Sequence, residues 1–210
     1  QSLRRWQIEQ FARQQPKRVN SDTGVERAAF FFSQKLQRNV MYESEMEHSY
    51  LLRLEYLDEV VYYLEQPAAI PYVWDGRKRT YFPDVFFLLK DGRGIIVEIK
   101  QPLHMALEIN LTKWHALRQF CEQRGFGIII TDCRKHLQQI QRTGVRQQVS
   151  TALLTELEKR DIDWKTYLAM REELQISRDE FVALVLNNRL RWRLHPFLLK
   201  RVTINSDMAD

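Results

Sequence analysis

Two apolar runs joined by a tight turn constrain this chain more than any other feature. They are "YFPDVFFLL", Tyr81 to Leu89, and "GIIVEIK", Gly94 to Lys100, with Asp91–Gly92 between them. Aromatic and β-branched residues in runs of this length favour strands, and a DG pair flanked by such runs signals a hairpin. Charges interrupt both runs: Asp84 in the first, Glu98 and Lys100 in the second. Strand side chains alternate with a period of two, so Glu98 and Lys100 share one face while Val97 and Ile99 share the other. A tight hairpin lets Asp84 and Glu98 converge at one end of the sheet. Two carboxylates so placed repel, and each tends to take up a proton unless a cation lies between them. An oxygen-rich site of this kind suits Mg²⁺, with Mn²⁺ as a substitute. A lysine beside such a cation stabilises charge on a phosphoryl group or helps position the attacking water. The residues alone also admit a plainer arrangement, with Asp84 at a strand end and Glu98 and Lys100 as an ordinary surface pair.

The elements around the hairpin predict a mixed sheet flanked by helices. Upstream, "SEMEHSYLLRLEYLD" (Ser44 to Asp58) has Met46, Tyr50, Leu54 and Leu57 at helical spacing, with Ser44 as N-cap. "VVYYLEQPAAIPYVW" reads as extended chain broken by Pro67 and Pro71, and Asp75–Gly76 closes a further hairpin. Downstream come a helix from Met105 to about Glu122 and an apolar strand, "GFGIIITD". "AAFFFSQKLQRNVMY" reads as one strand, and "LRRWQIEQFARQ" as a short helix.

After Cys133 the pattern changes. Residues 134–148 are polar, basic and glutamine-rich, and read as a connecting segment. Three helical patterns follow near 149–160, 163–174 and 178–188, the last opened by a capping box at Ser177 and Glu180. "RLRWRLHPFLLKRVTI" then alternates as a strand pair. The expected organisation is an α/β domain over 1–133, a connector over 134–148 and a winged-helix-like domain over 149–210.

Charge follows the same division. Residues 1–40 hold eight Lys/Arg against three Asp/Glu, residues 41–133 ten against fourteen, and residues 134–201 fourteen against eight. An acidic centre between basic flanks suits a protein that gathers metal with carboxylates and meets phosphate with its flanks. No run reaches the ~20 apolar residues of a membrane span, so no membrane partner is expected. Cys121 and Cys133 lack metal-ligand spacing, and the N-terminal residues lack a secretory pattern, which predicts a cytoplasmic protein.

The pattern P-D, thirteen residues, E-x-K on apolar strands is the PD-(D/E)xK nuclease signature, carried here by Asp84, Glu98 and Lys100. Glu47, on the apolar side of its helix, is a third candidate carboxylate. Periodicity favours a local role for it, because "SEME" is itself a capping box. Beyond these residues the chain resembles the TnsA endonuclease family, the restriction-endonuclease-like subunits of heteromeric transposases. The likeness runs through "YESEMEHSYLLRLEYLDEVVYYLEQP", "RTYFPDVFFLL" and "GIIVEIKQP", over about residues 25–132. It implies a restriction-endonuclease-like fold, with Glu47, Asp84, Glu98 and Lys100 as catalytic residues. The metal would be held by the three carboxylates and the Ile99 carbonyl. Gln101 departs from the pattern, since it separates the lysine from Pro102.

The resemblance also implies cleavage of the 5′, non-transferred strands of double-stranded DNA at transposon ends. The implied partners are an integrase-like (TnsB-like) transposase and an AAA+ (TnsC-like) regulator. On this reading Arg189, Arg191, Arg193, Lys200 and Arg201 contact DNA or partner acids. Two rivals are a free-standing restriction- or repair-type endonuclease and a non-catalytic adaptor between transposase and regulator.

Overall fold

The computed structural model describes residues 10–11, 29–188 and 190–201. The helix expected over "LRRWQIEQFARQ" lies outside these apart from Gln10 and Phe11, as does Arg189. The chain forms two compact units, residues 1–100 with 112–134, and residues 101–111 with 135–210.

The first unit is built on a mixed four-stranded sheet in the order β3–β6–β7–β8. Its strands are β3 (Val60–Glu65), β6 (Val85–Leu89), β7 (Gly94–Ile99) and β8 (Gly127–Thr131). β3, β6 and β7 pair antiparallel, whereas β8 lies parallel to β7. That parallel step requires a crossover, which the helix α3 (Glu108–Arg124) provides. The β6–β7 hairpin closes as its sequence requires: Gly92 has φ 85 and its N–H donates to the Leu89 carbonyl at 2.9 Å. Only glycine enters that backbone region without steric cost. Helix α1 (Glu45–Tyr56) packs Leu51 and Leu54 into a core with Tyr63, Val85, Val97 and Ile99. Phe86, elsewhere on the sheet, meets Phe11 and Phe126 at ring distances of 4.8 and 5.2 Å.

Two ribbons flank this sheet. Residues 29–42 form a hairpin of β1 (Ala29–Ser33) and β2 (Arg38–Tyr42), not the single strand that their composition suggests. Its turn contains no glycine. Instead Gln37 takes φ 55, and the Glu55 carboxylate accepts from Ser33 Oγ at 2.7 Å and Lys35 N at 2.8 Å. The second ribbon pairs β4 (Ile70–Trp74) with β5 (Arg77–Tyr81) across the expected Asp75–Gly76 turn. Asp75 and Gly76 have φ 54 and 69, as a two-residue hairpin loop requires.

The second unit contains α2 (Pro102–Met105), α4 (Leu137–Gln141), α5 (Gln147–Lys159), α6 (Trp164–Glu173) and α7 (Arg178–Asn187). The antiparallel strands β9 (Arg191–Leu194) and β10 (Phe197–Lys200) complete it. Residues 135–148 form part of this unit, with Ile140 of α4 fully buried. Phe181 and Trp192 stack edge-on at 5.1 Å, and Tyr167 and Phe197 lie 5.2 Å apart. The α7 N-cap is realised, Ser177 Oγ accepting from Glu180 N at 3.1 Å, while the Glu180 carboxylate accepts from Arg146 N at 2.9 Å.

Candidate active site

The β6–β7 register explains the site. Val85 pairs with Val97, so Asp84, one residue before β6, faces Glu98 across the hairpin. Asp84 Oδ2 accepts the Ile99 N–H at 2.6 Å, which fixes the aspartate on the next strand. Lys100, held by its N–H to the Thr131 carbonyl of β8, places Nζ 3.0 Å from Glu98 Oε1 and 3.8 Å from Asp84 Oδ2. The structure thus brings Asp84, Glu98 and Lys100 together.

Glu98 is almost wholly buried, and both its oxygens are engaged, Oε1 by Lys100 and Oε2 by the Tyr81 hydroxyl. Tyr81, the last residue of β5, is buried as well, and burial and then the Glu98 charge push its phenol well above the ordinary range. It therefore serves as a donor. Burial first, and then Glu98, also drive the Asp84 carboxyl well above the usual carboxylate range, with Lys100 only partly offsetting them. Burial opposes the charge on Lys100, but Asp84 and Glu98 outweigh it and raise its pKa, so the ammonium is retained. Two buried carboxylates with one ammonium leave a surplus negative charge, which a proton or a metal cation can balance.

Glu47 is placed differently. Its Oε1 accepts from Ser44 Oγ at 3.0 Å and its Oε2 from Glu43 N at 2.9 Å, while its own N–H donates to Ser44 Oγ at 3.2 Å. The Ser44 N-cap is therefore formed, but the Glu47 carboxylate reaches the Glu43 N–H and not that of Ser44, so the reciprocal half of the expected capping box is replaced. Glu47 still lies close enough for its charge to act on Asp84 and Lys100. Among the described residues, no three His, Cys, Asp or Glu side chains converge as a ready metal cluster. The donor chemistry nevertheless fits a hard divalent cation, because each carboxylate oxygen has a second lone pair and Asp84 Oδ1 has no hydrogen-bond partner among the described residues.

The Gln66–Pro67 element adds a residue that periodicity does not reveal. Gln66, at φ 45, donates its N–H to the Asp84 carbonyl at 2.9 Å and its Nε2 to Glu43 Oε1 at 3.0 Å. Its Oε1 is buried without a partner among the described residues. Tyr81 had a clearer signal, three residues before Asp84 and breaking the polar run of β5.

The basic residues of the second unit are partly engaged within the chain. Arg191 and Arg193 both bind Glu108, with Arg193 Nε 2.6 Å from Oε2. Arg201 meets Glu158 at 3.1 Å, and Lys200 is half-buried on β10.

A mixed sheet flanked by helices, with an aspartate, a glutamate and a lysine gathered at a hairpin end, is consistent with restriction-endonuclease-like nucleases. Residues 57–132 match the family described as TnsA-like endonuclease N terminal. The matched segment contains Asp84, Glu98 and Lys100, while Glu47 lies before it. A head completion nuclease of Enterobacteria phage T4 is 26% identical over 121 residues, covering 45% of this chain and 81% of the phage protein. Both comparisons support an endonuclease, and the resemblance read from the sequence is borne out over the matched segment.

Proposed function

We propose that the protein is the metal-dependent endonuclease subunit of a heteromeric transposase, cutting the 5′, non-transferred strands at transposon ends. The observation that carries this reading is the convergence of Asp84, Glu98 and Lys100 within the segment that matches the TnsA-like family. Asp84, Glu98, Glu47 and the Ile99 carbonyl would hold Mg²⁺ or Mn²⁺. When bound, such an ion polarises the scissile phosphate and lowers the pKa of the attacking water. The chain's own part is positioning. Tyr81 and Lys100 hold Glu98 between them, the Ile99 N–H orients Asp84, and Lys100 presents its ammonium where charge accumulates on phosphate.

The second unit, with helices followed by a β-ribbon, is read as winged-helix-like. It would contact DNA, the integrase-like transposase or the AAA+ regulator through residues such as Arg189, Lys200 and Arg201. The described part of the chain has no helix long and apolar enough to cross a membrane, and action on cytoplasmic DNA is the reading we favour.

The test is strand-specific cleavage of DNA bearing transposon ends, with and without both partners. The expected product is a 5′-strand nick made only in the full assembly, reduced about 10²–10³-fold by Lys100→Ala. A Lys100→Ala protein that nicks at the parental rate overturns the assignment. The similarity to a phage nuclease favours one second reading, a free-standing endonuclease, which predicts cleavage by the purified chain alone. If Asp84→Ala left the transposition products unchanged, an adaptor role would replace both.

A further inference from the structure

The β4–β5 ribbon carries three adjacent cations, Arg77, Lys78 and Arg79, all exposed. No carboxylate lies within ion-pairing distance of any of them among the described residues, and Asp75, at the turn, is the ribbon's only acid. Their faces differ. The register sets Tyr81 opposite Ile70, Arg79 opposite Tyr72 and Arg77 opposite Trp74, so these six residues share one face, whereas Lys78 and Thr80 share the other.

The shared face is the one whose inner end enters the candidate active site, because Tyr81 donates to Glu98 there. It changes character along its length. Ile70, Tyr72 and Tyr81 are buried, Trp74 is half-buried, and Arg79 and Arg77 stand in solvent. A fourth cation joins at the inner end: Lys113 of α3 lies with Nζ 5.7 Å from the Tyr81 ring centroid. Lys113 is half-buried and also has no carboxylate within ion-pairing distance among the described residues. Burial lowers its pKa, partly offset by Glu98 and Asp84, and Lys100 and Arg79 lower it further. A partly desolvated ammonium without a partner is costly, and an incoming anion relieves that cost.

We propose that Lys113, Arg79 and Arg77 form a phosphate track along which one DNA strand leads into the carboxylate–lysine site. Residues two apart on a strand are about 6.8 Å apart, the axial rise of about two nucleotides at about 3.4 Å each. Lys113 meets the phosphate nearest the catalytic end, and Arg79 and Arg77 meet phosphates further out. The Trp74 ring, on the same face, adds a flat apolar contact beside the backbone. This rests on the nuclease reading for its substrate, but it concerns binding and is measured without chemistry.

The experiment is equilibrium binding of a fluorescent DNA duplex to the full chain in EDTA, from about 50 to 200 mM salt, a range over which each phosphate contact contributes about 3.5-fold to the loss of affinity. Arg77→Gln with Arg79→Gln lowers the slope of log K against log salt by about 1.8, so the variant loses about 12-fold less affinity than the parent across that range. Lys113→Gln lowers the slope by about 0.9, and Lys78→Gln, on the opposite face, leaves it unchanged. All four positions are solvent-accessible, and unchanged melting temperatures establish that the variants fold.

A parental slope in the Arg77→Gln/Arg79→Gln protein overturns the track and leaves the nuclease reading standing. So does a Lys78→Gln protein that flattens the slope as much as Lys113→Gln, because it would reduce the effect to general charge. Unchanged DNA binding with lost assembly onto an acidic partner protein overturns the track in favour of a protein-docking surface. A shallower slope in a protein that cleaves no transposon-end DNA even with Mg²⁺ and both partners supports the track and removes the nuclease reading instead.

Discussion

Replacing Tyr81 with Phe removes one hydroxyl and leaves the ring, its burial and its contact with Lys113 in place. That hydroxyl donates to Glu98 Oε2, where Glu98 is only 1% exposed and water cannot substitute for it. A hydrogen bond to a charged group contributes roughly 1.5–3 kcal/mol, and an unsatisfied buried acceptor bears the full desolvation cost. At about 2–4 °C per kcal/mol for a chain of this size, the Tyr81→Phe protein should melt about 3–12 °C lower in EDTA. Calorimetry alone would not separate this bond from general disturbance of the pocket. The decisive measurement is a double-mutant cycle with Glu98→Gln, which keeps the shape but removes the carboxylate charge. If the hydroxyl acts through that charge, the two changes couple by at least about 1 kcal/mol. Additive losses, within about 0.3–0.5 kcal/mol, would refute the claim that Tyr81 holds Glu98.

Glu47→Gln preserves a capping side chain but removes its charge, so melting should change by under about 0.5 kcal/mol while metal-dependent cleavage falls; Ser44→Ala should do the reverse, costing about 1 kcal/mol of stability with cleavage retained. Gly94→Ala should destabilise by about 1–3 kcal/mol in urea unfolding, because a Cβ there would sit 2.7 Å from Phe86 Cε2 and 3.1 Å from Phe126 Cδ1. Glu108 is half-protected; burial acts to raise its pKa, but the hydrogen bonds from Arg193 and Arg191 prevail and hold it below 4.5. Its stabilisation is therefore complete above pH 4.5 and is lost as pH falls through the depressed folded value, so Glu108→Gln should flatten the acid side of the melting-temperature profile.

What the sequence made legible is what local rules control. Alternation across β6 and β7 and the Asp91–Gly92 turn show which residues can face each other, so the meeting of Asp84, Glu98 and Lys100 was one of the two arrangements that pattern allowed. The α1 and α7 caps were legible for the same reason, since a capping box spans only four residues. The features that escaped depend on distant partners. The β1–β2 hairpin has no glycine turn to announce it, and Glu55, more than twenty residues away from Ser33, secures it. Ile140 lies in a polar, glutamine-rich stretch, yet its burial commits residues 135–148 to the second unit. Arg191 and Arg193 read as an exposed basic pair until Glu108, 83 and 85 residues away, takes up both guanidinium groups.

Glu47 shows why two readings of one residue need not compete. Periodicity favoured a capping box; the structure forms its Ser44 half and turns the Glu47 carboxylate to the Glu43 N–H, with each Glu47 oxygen accepting one hydrogen bond. A cap of this kind restricts the rotamer of the carboxylate without exhausting its lone pairs. The Glu43 that donates its N–H to Glu47 also accepts from Gln66 Nε2, and the Gln66 N–H reaches the Asp84 carbonyl. A continuous hydrogen-bonded path therefore joins the first turn of α1 to the start of β6, all within one unit. The left-handed backbone at Gln66 costs energy for a residue with a Cβ, and its buried Oε1, unpartnered among the described residues, costs more. The Gln66 N–H to the Asp84 carbonyl also continues the β3–β6 ladder by one pair, so the same turn serves the sheet. In the proposed site, that shared bond would hold Asp84 at a fixed distance from α1, a role that offsets the strain at Gln66.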